Sequence, residues 1–374
     1  MKLAIINLTG GGISGGHKKY LINILPALAA STKIEAILCA SPSAMRAEEW
    51  LPALPKVTYE RCEPFRPFRH SPDKALAALL DRFRPDLIFI PVERYIDYKG
   101  LSVVVMVQNM APLARAKTGA GIRELLVSLA RRYETKVALR RSAAVIVPTE
   151  YVKKFIEEKA GVPKNKVTAI HYGGNAAPSA ALKPAGFPFK QKDFIFTAGS
   201  IEAYRGLEDL VRALPEVKKK HLGMKLAVAG ASRLATTKYF ESLKELAADL
   251  QVSADIAWLG NIPEGELSWC YANCAAFALT SRVESFCFVA LEAMAHGCRI
   301  VSSDSPCLPE ILGDTAVYYK AGNVPALSAG LLQVLSAGPR DGDVASSAAL
   351  ERAAGFSWGK AASATLDVFI RTLP

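Results

Sequence analysis

The chain has 374 residues, 51% of them hydrophobic and 22% charged, with a net charge of +11 at neutral pH. That length fits two α/β domains of about 180 residues better than one, and the composition excludes a disordered chain. No apolar run approaches the ~20 residues of a membrane span, and the N-terminal MKLAIINLTGGG lacks the cleavage site of a signal peptide, so it reads as a first buried strand of a cytoplasmic protein.

In the first half, strands are expected at 3–8, 34–39, 57–62, 87–91, 103–109, 144–149 and 167–172, with helical patterns between several of them. In the second half they are expected at 194–199, 226–230, 256–260, 275–280, 299–304 and 316–320. Most are near-continuous apolar runs, the mark of parallel strands buried on both faces. Alternation of strand and helix over both halves predicts an α/β protein with two doubly wound parallel sheets. Between them, AAPSAALKPAGFPFKQK (176–192) has the composition of a linker. The expected domains are 1–180 and 190–356. The amphipathic final stretch at 357–374 needs a surface to cover and is expected to rejoin the first.

Charge is unevenly divided. Residues 1–182 hold 27 basic and 15 acidic side chains, and residues 183–374 hold 19 and 20. The basic half suits an anionic partner. Within it, 121–141 carries Ile122, Leu125, Leu126, Leu129, Tyr133 and Val137 at helical spacing, together with Arg123, Arg131, Arg132, Lys136, Arg140 and Arg141. Two readings stand side by side: a core-facing helix with a solvated basic face, or a helix lying on an anionic membrane surface. Nucleic acid is not expected, because no aromatic platform or reader motif accompanies the charge. The seven cysteines, mostly inside apolar stretches, read as reduced buried thiols, and no metal site is expected, Cys270 and Cys274 forming an isolated C-x3-C.

Three motifs carry chemistry. After the first strand comes a glycine-rich turn, Gly10 to Gly16, followed by His17 and a helical run. Glycines let backbone amides approach an anion, and the following helix adds unpaired N–H groups. The literal match to a dinucleotide fingerprint fails its second requirement, because the only acidic residue at the right distance, Glu35, begins its strand rather than ending it. A nicotinamide-dependent oxidoreductase is therefore the weaker alternative. The second motif is SRVESFCFVALEAMAHG (281–297). A helix is expected from Phe286 to His296, with Glu284 just ahead of it and Glu292 eight residues on, about two turns. The amides of Ser285, Phe286 and Cys287 would face a crevice at the C-terminal edge of a parallel strand, with Glu292 placed for a ribose and Glu284 for a hexose. The third is FTAGSIEAYRGLEDLVRAL (196–214), where Arg205 stands at a helix entrance and reaches toward a phosphate.

Together these stretches resemble glycosyltransferase family 4, a group of GT-B enzymes with two Rossmann-like domains facing across a cleft. The resemblance covers nearly the whole chain and is strongest from 194 to 320. The family's E-x7-E signature maps onto Glu284 and Glu292. It implies that Glu284 contacts the transferred sugar, that Glu292 contacts the donor ribose, that Gly15 and Gly16 approach the donor phosphates, and that Gly260, Asn261 and Ile262 border the base. Ser200 stands where the family usually has arginine, Arg205 where it has lysine, and Cys287 where it has glycine. Gln108 and Asn109 stand where it often has a histidine.

The expected activity is retaining transfer of a sugar from a nucleotide diphosphate sugar to a glycan or lipid-linked acceptor in cell-surface polysaccharide synthesis. No cofactor or divalent cation is required. Glu284 and Arg205 are the expected catalytic pair. Gly15, Gly16, Ser200, Asn261, Ser285, Phe286, Cys287 and Glu292 are expected at the donor, and His17, Gln108 and Asn109 at the acceptor. A sugar-nucleotide-binding protein without catalysis is the other alternative.

Overall fold

Short runs of Val, Ile, Leu and Phe with no polar interruption become strands covered on both faces. The computed structural model describes residues 1–9, 15–110, 113, 122–175, 181–232 and 236–373. The chain divides into two units, Met1–Gly173 with Ser357–Pro374, and Gly174–Phe356.

The first unit contains β1 (Lys2–Ile6), α1 (Gly15–Ala30), β2 (Ala36–Pro42), β3 (Val57–Cys62), α2 (Lys74–Phe83), β4 (Leu87–Ile90), β5 (Val103–Met106), α3 (Ile122–Arg141), β6 (Ala144–Val147), α4 (Glu150–Ala160) and β7 (Val167–Ala169). The strands form one parallel sheet in the order β3-β2-β1-β4-β5-β6-β7. Leu3 pairs with Ile37 on one side and Leu87 on the other. Chain direction across the sheet therefore reverses between β1 and β4.

The second unit contains β8 (Phe194–Ala198), α5 (Leu207–Lys220), β9 (Lys225–Ala229), α6 (Thr237–Asp249), β10 (Ile256–Gly260), α7 (Glu264–Asn273), β11 (Ala276–Leu279), α8 (Phe288–Ala295), β12 (Ile300–Ser303), α9 (Cys307–Leu312), β13 (Ala316–Tyr319), α10 (Val324–Ser336) and α11 (Pro339–Ala354). Its six strands are parallel, in the order β10-β9-β8-β11-β12-β13, with the reversal between β8 and β11. Ile195, Leu210, Leu226, Val301 and Leu331 belong to one buried cluster that joins the sheet to α5 and α10. Where β8 and β9 end, the backbones nearly touch. A Cβ on Gly230, whose φ is +141°, would stand 1.9 Å from the Gly199 carbonyl oxygen, so only glycine fits.

The final helix α12 (Trp358–Thr372) packs in the first unit. Trp358 stacks on Tyr172 and meets Tyr20 edge-on, and Phe369 packs on Phe89. A Cβ on Gly173 would collide with the Trp358 backbone nitrogen at 2.3 Å, so this glycine admits the helix. The stretch expected to act as a linker is different in part. Residues 176–180 lie outside the described residues. From Leu182 onward the segment is built into the second unit: Leu182 N–H donates to the Gly265 carbonyl (3.0 Å), and Phe187 packs against Phe189, Phe194 and Trp269. Two phenylalanines supply buried apolar area that a linker lacks.

The helix expected over 121–141 forms as α3, but its apolar spacing does not mark a core face. Leu126, Leu129 and Tyr133 are exposed, while Glu134, Thr135, Ala138 and Leu139 are buried. Residue 121 and the side chains of 122–125 lie outside the described set.

Candidate functional site

In an open parallel sheet, ligands bind outside the C-terminal ends of the strands where chain direction reverses. In the second unit that place is defined by the exits of β8 and β11, and most of the expected donor residues lie on those two connections.

After β8 the chain passes Gly199, Ser200 and a single 3-10 turn, Ala203–Arg205, before Gly206 opens α5 with φ of +62°. After β11 it runs through Thr280 to Cys287. The two connections are fastened together. Thr280 Oγ1 donates to the Arg205 carbonyl (2.6 Å), and the Arg282 amide donates to the Tyr204 carbonyl (2.7 Å). The Arg282 guanidinium meets Glu208 at 2.7 Å and both oxygens of buried Asp209 at 3.0 Å. Ser303 Oγ, from the neighbouring strand β12, donates to the Ser281 carbonyl at 2.6 Å.

This frame brings Arg205 and Glu284 together. Nη1 of Arg205 lies 3.3 Å from Oε1 of Glu284, with side chains only 16% and 10% exposed. Ser281 Oγ donates to the same carboxylate oxygen at 2.9 Å. Burial, the largest single influence, would lower the Arg205 pKa, but Glu284, Cys287 and Tyr204 together outweigh it, and the net shift is upward. Arg205 thus stays charged, and its buried Nε–H finds no acceptor among the described residues. A buried charged donor left open can donate a charge-assisted hydrogen bond to an anion.

Glu292 is placed independently. It lies on α8, and its Oε2 accepts from the Tyr271 hydroxyl of α7 at 2.8 Å. Tyr271 stacks on His296, whose Nε2 is 2.8 Å from Ser268 Oγ. His296 Nδ1 lies 2.7 Å from the Glu292 carbonyl. The Cys287 thiol feels both Glu284 and Glu292 as well as Arg205, so it sits among all three charges. Burial first, then Glu284, pushes its pKa upward.

The helix expected from Phe286 starts two residues later, at Phe288. The cause is Cys287, whose φ of +77° and ψ of +76° are left-handed and end any helix begun before it. Ser285, Phe286 and Cys287 therefore form the approach to α8 and not its first turn. Only Glu292 of the two glutamates is helical, so the two-turn spacing argument does not apply. Glu284 is held instead by Ser281 and Arg205. Ser200 follows the Gly199–Gly230 contact at the β8 exit, and Asn261 is exposed just after β10, beyond Gly260 at φ +63°.

The remaining expected residues lie in the first unit. Gly10–Ser14 are outside the described residues. Gly15 opens α1, and a Cβ there would meet nothing within 4 Å, so packing does not demand glycine at this point. Buried His17 has Nδ1 3.3 Å from Gln108 Oε1, and burial drives its pKa down to about 4 against the opposing pull of Gln108. Sequence reasoning missed Glu93. This buried carboxylate, just past β4, accepts the amides of Gln108 and Asn109 at 2.5 Å each and fixes the chain beyond β5. Burial pushes its pKa up. Its signal was an acidic residue directly after the apolar run LIFIPV. Glu35, by contrast, precedes β2 and pairs with Lys2 at 3.8 Å, at the end of the sheet opposite to where a dinucleotide ribose binds.

Among the described residues, no cluster of three or more His, Cys, Asp and Glu could hold a metal ion, and no helix is long and apolar enough to cross a membrane. All seven cysteines are free and buried.

The family model for glycosyl transferases group 1 matches residues 180–350, and that for glycosyltransferase family 4 matches residues 14–176. The glycogen synthase of Mycobacterium tuberculosis (strain CDC 1551 / Oshkosh) is 29% identical over 237 residues, 62% of this chain and 55% of that protein. The O-antigen chain mannosyltransferase B of Escherichia coli is 32% identical over 114 residues, 30% of each chain. This chain spans about half the length of several of the curated relatives it matches, and less than two thirds of the others compared. Among solved structures, the sucrose-phosphate synthase of Thermosynechococcus elongatus superposes with a TM-score of 0.76 at 16% identity, over 99% of this chain and 98% of that one. HepE of Anabaena, in complex with UDP and glucose, superposes with a TM-score of 0.73 at 16% identity, over 99% and 100%. These likenesses give the two sheets the GT-B fold class. With its two halves matched in order by the two models of one enzyme group, the chain belongs to the group 1, family 4 glycosyltransferases.

Proposed function

We propose that this chain moves a hexosyl group from a nucleotide diphosphate sugar to a saccharide or lipid-linked acceptor, with retention at the anomeric carbon and no divalent cation, in the synthesis of a cell-surface polysaccharide. The observation that carries the reading is Arg205: a buried guanidinium at the switch point of the second sheet, neutralised on one side by Glu284 and holding an unused N–H on the other. The donor diphosphate needs such a charge-assisted donor. Glu284 accepts from hydroxyls of the transferred sugar, and Glu292, oriented by Tyr271, accepts from the ribose. The amides approaching α8 and the positive end of that helix lie close to the phosphates. Ser200 and Asn261 border the nucleotide. Gly15 and Gly16 are donor-phosphate residues on the strength of the resemblance alone.

In the reaction the bond from C1 to the phosphate oxygen breaks and the bond from C1 to the acceptor oxygen forms. Positive charge grows on the sugar ring while negative charge grows on the leaving diphosphate. Arg205 meets the second of these charges. The acceptor proton goes to an oxygen of the leaving phosphate on the same face, which is the route to retention without a protein base. His17, Gln108 and Asn109, with Glu93 fixing the last two, are the acceptor side of this reading. The UDP held by HepE in its solved complex makes a uridine nucleotide a reasonable first donor to try.

The test is a thermal-shift screen of nucleotide sugars with and without EDTA, followed by nuclear magnetic resonance assignment of the product anomer. A true donor at 100 times its dissociation constant adds about 2.7 kcal/mol of stability. An inverted product, turnover that stops with EDTA, or no stabilisation by any nucleotide sugar would refute the corresponding part. Binding without transfer to any acceptor or to water would leave a carrier protein and not an enzyme.

A further inference from the structure

Helix α3 carries three large exposed apolar side chains on the face opposite its buried residues Thr135, Ala138 and Leu139. Leu126 is 61% exposed, Leu129 53% and Tyr133 50%. At 3.6 residues per turn these three fall within an arc of about 60°. Phe68, from the loop between β3 and α2, is 66% exposed and lies against Tyr133 with ring centroids 5.6 Å apart. Four large apolar side chains in one exposed patch are unusual for a surface that meets only water.

The patch is built deliberately. Phe68 has φ of +64°, a left-handed conformation that a side-chain-bearing residue adopts only when its surroundings compel it. What compels it is Glu134. This residue turns inward from α3, accepts the Phe68 amide on Oε1 at 2.7 Å, and meets His70 Nε2 with Oε2 at 3.0 Å. A buried carboxylate is thus used to fasten an exposed phenylalanine beside an exposed tyrosine. The same turn removes a negative charge from the outer face. On α3 from residue 126 onward, Glu134 is the only acidic residue and it is buried, whereas Arg131, Arg140 and Arg141 are exposed and Lys136 is half-buried. Lys136 and Arg140 lie on or beside the apolar arc, one and two turns beyond Tyr133. Arg69 follows Phe68 in the loop and is exposed.

We propose that this face is a docking surface for an anionic lipid bilayer, with Phe68, Leu126, Leu129 and Tyr133 entering the headgroup boundary and Lys136 and Arg140 meeting lipid phosphates. Charge selects the occupant. An apolar stripe rimmed by one sign of charge complements a negatively charged interface, and two copies of it would repel each other. Nucleic acid would use the cations but gain nothing from exposed leucines.

The proposal is independent of the donor site, and its test does not read transfer. Vesicles of neutral phosphatidylcholine and vesicles containing about 30% phosphatidylglycerol are floated with the full chain at low and high salt. The protein should float with the anionic vesicles alone and be released by salt. Leu126→Ser with Leu129→Ser, and separately Lys136→Gln with Arg140→Gln, should each weaken partition about tenfold at unchanged circular dichroism and melting temperature. Should the leucine variant misfold, Tyr133→Ser with Phe68→Gly replaces it, the glycine accepting the left-handed backbone without strain. Equal binding to both vesicle types, or full binding by the variants, would overturn the proposal. So would a dimer in sedimentation velocity that the leucine variant dissociates, or binding to nucleic acid with none to vesicles.

Discussion

Arg205 and Glu284 form a salt bridge of 3.3 Å between two connections of the second sheet, with Ser281 donating to the same carboxylate oxygen. The pair cancels two charges that burial would otherwise penalise. Removing Glu284 leaves the guanidinium buried and unopposed except by a bound anion. Glu284→Ala should therefore cost about 3 kcal/mol of stability in the free protein. It should lower turnover by about 100-fold or more while keeping nucleotide affinity largely intact. Added nucleoside diphosphate should raise the stability of the variant by about as much as that of the natural chain, because the affinity is largely unchanged. Urea unfolding with and without nucleotide checks the first part, and single-turnover kinetics the second. Unchanged turnover would remove Glu284 from the site.

Glu292 is predicted to act on nucleotide affinity and not on the chemical step. Its carboxylate accepts a neutral hydrogen bond from Tyr271. Tyr271→Phe removes that bond and leaves the ring packing, so it should weaken nucleotide binding about fivefold, near 1 kcal/mol. Glu292→Ala should weaken it more. Once Glu292 is alanine, adding Tyr271→Phe should have little further effect. Titration calorimetry on the four proteins gives the cycle, and additive losses would show that Tyr271 does not act through Glu292.

Much of this was legible in the sequence, and the failures have a common cause. The thirteen strands among the described residues lie where they were expected, most of them as apolar runs, because a strand buried on both faces needs no information from elsewhere in the chain. The glutamate pair and Arg205 were also visible as residues. What could not be read was who holds them. Glu292 depends on a tyrosine 21 residues away, and Glu134 on a histidine 64 away. The second case decides against the core-facing reading of α3. A carboxylate and a threonine took the buried face, leaving leucines outside, and periodicity cannot reveal a polar residue satisfied by a distant partner. The early helix start at Phe286 failed for a local reason, since nothing in the composition of ESFCF announces a cysteine at positive φ.

That cysteine supports a stability prediction with an unusual ordering. Cys287 is buried and left-handed, at the position where the family usually has glycine. Cys287→Ala loses the packed sulfur and keeps the backbone strain. Cys287→Gly loses the sulfur as well but relieves the strain, which is about 1 kcal/mol for a non-glycine residue in this region. Glycine should therefore be the more stable of the two variants by about that amount, against the usual preference for alanine. Chemical unfolding of both variants decides it. If alanine is equal or better, the left-handed geometry at Cys287 is not maintained in solution.

The acceptor side offers a prediction in pH. His17 is buried beside Gln108, and its pKa falls from 6.5 to about 4, burial being the cause and Gln108 the opposing influence. Above about pH 6.5 the imidazole is neutral in both folded and unfolded chains and adds nothing to the pH dependence. As pH falls below that value the unfolded chain takes up a proton that the folded chain refuses, so stability is lost until about pH 4, where the folded imidazole also protonates. At about pH 5 the loss should be near 2 kcal/mol relative to about pH 7.5. Glu93 works the other way. Burial raises its pKa, so the folded chain binds its proton first and gains stability as pH falls. The whole-protein profile is therefore not the readout. His17→Gln removes only the histidine part, and the difference between its profile and that of the natural chain should open by about 2 kcal/mol between about pH 7.5 and 5. Parallel profiles would mean that His17 is reached by water and is not the buried neutral group described.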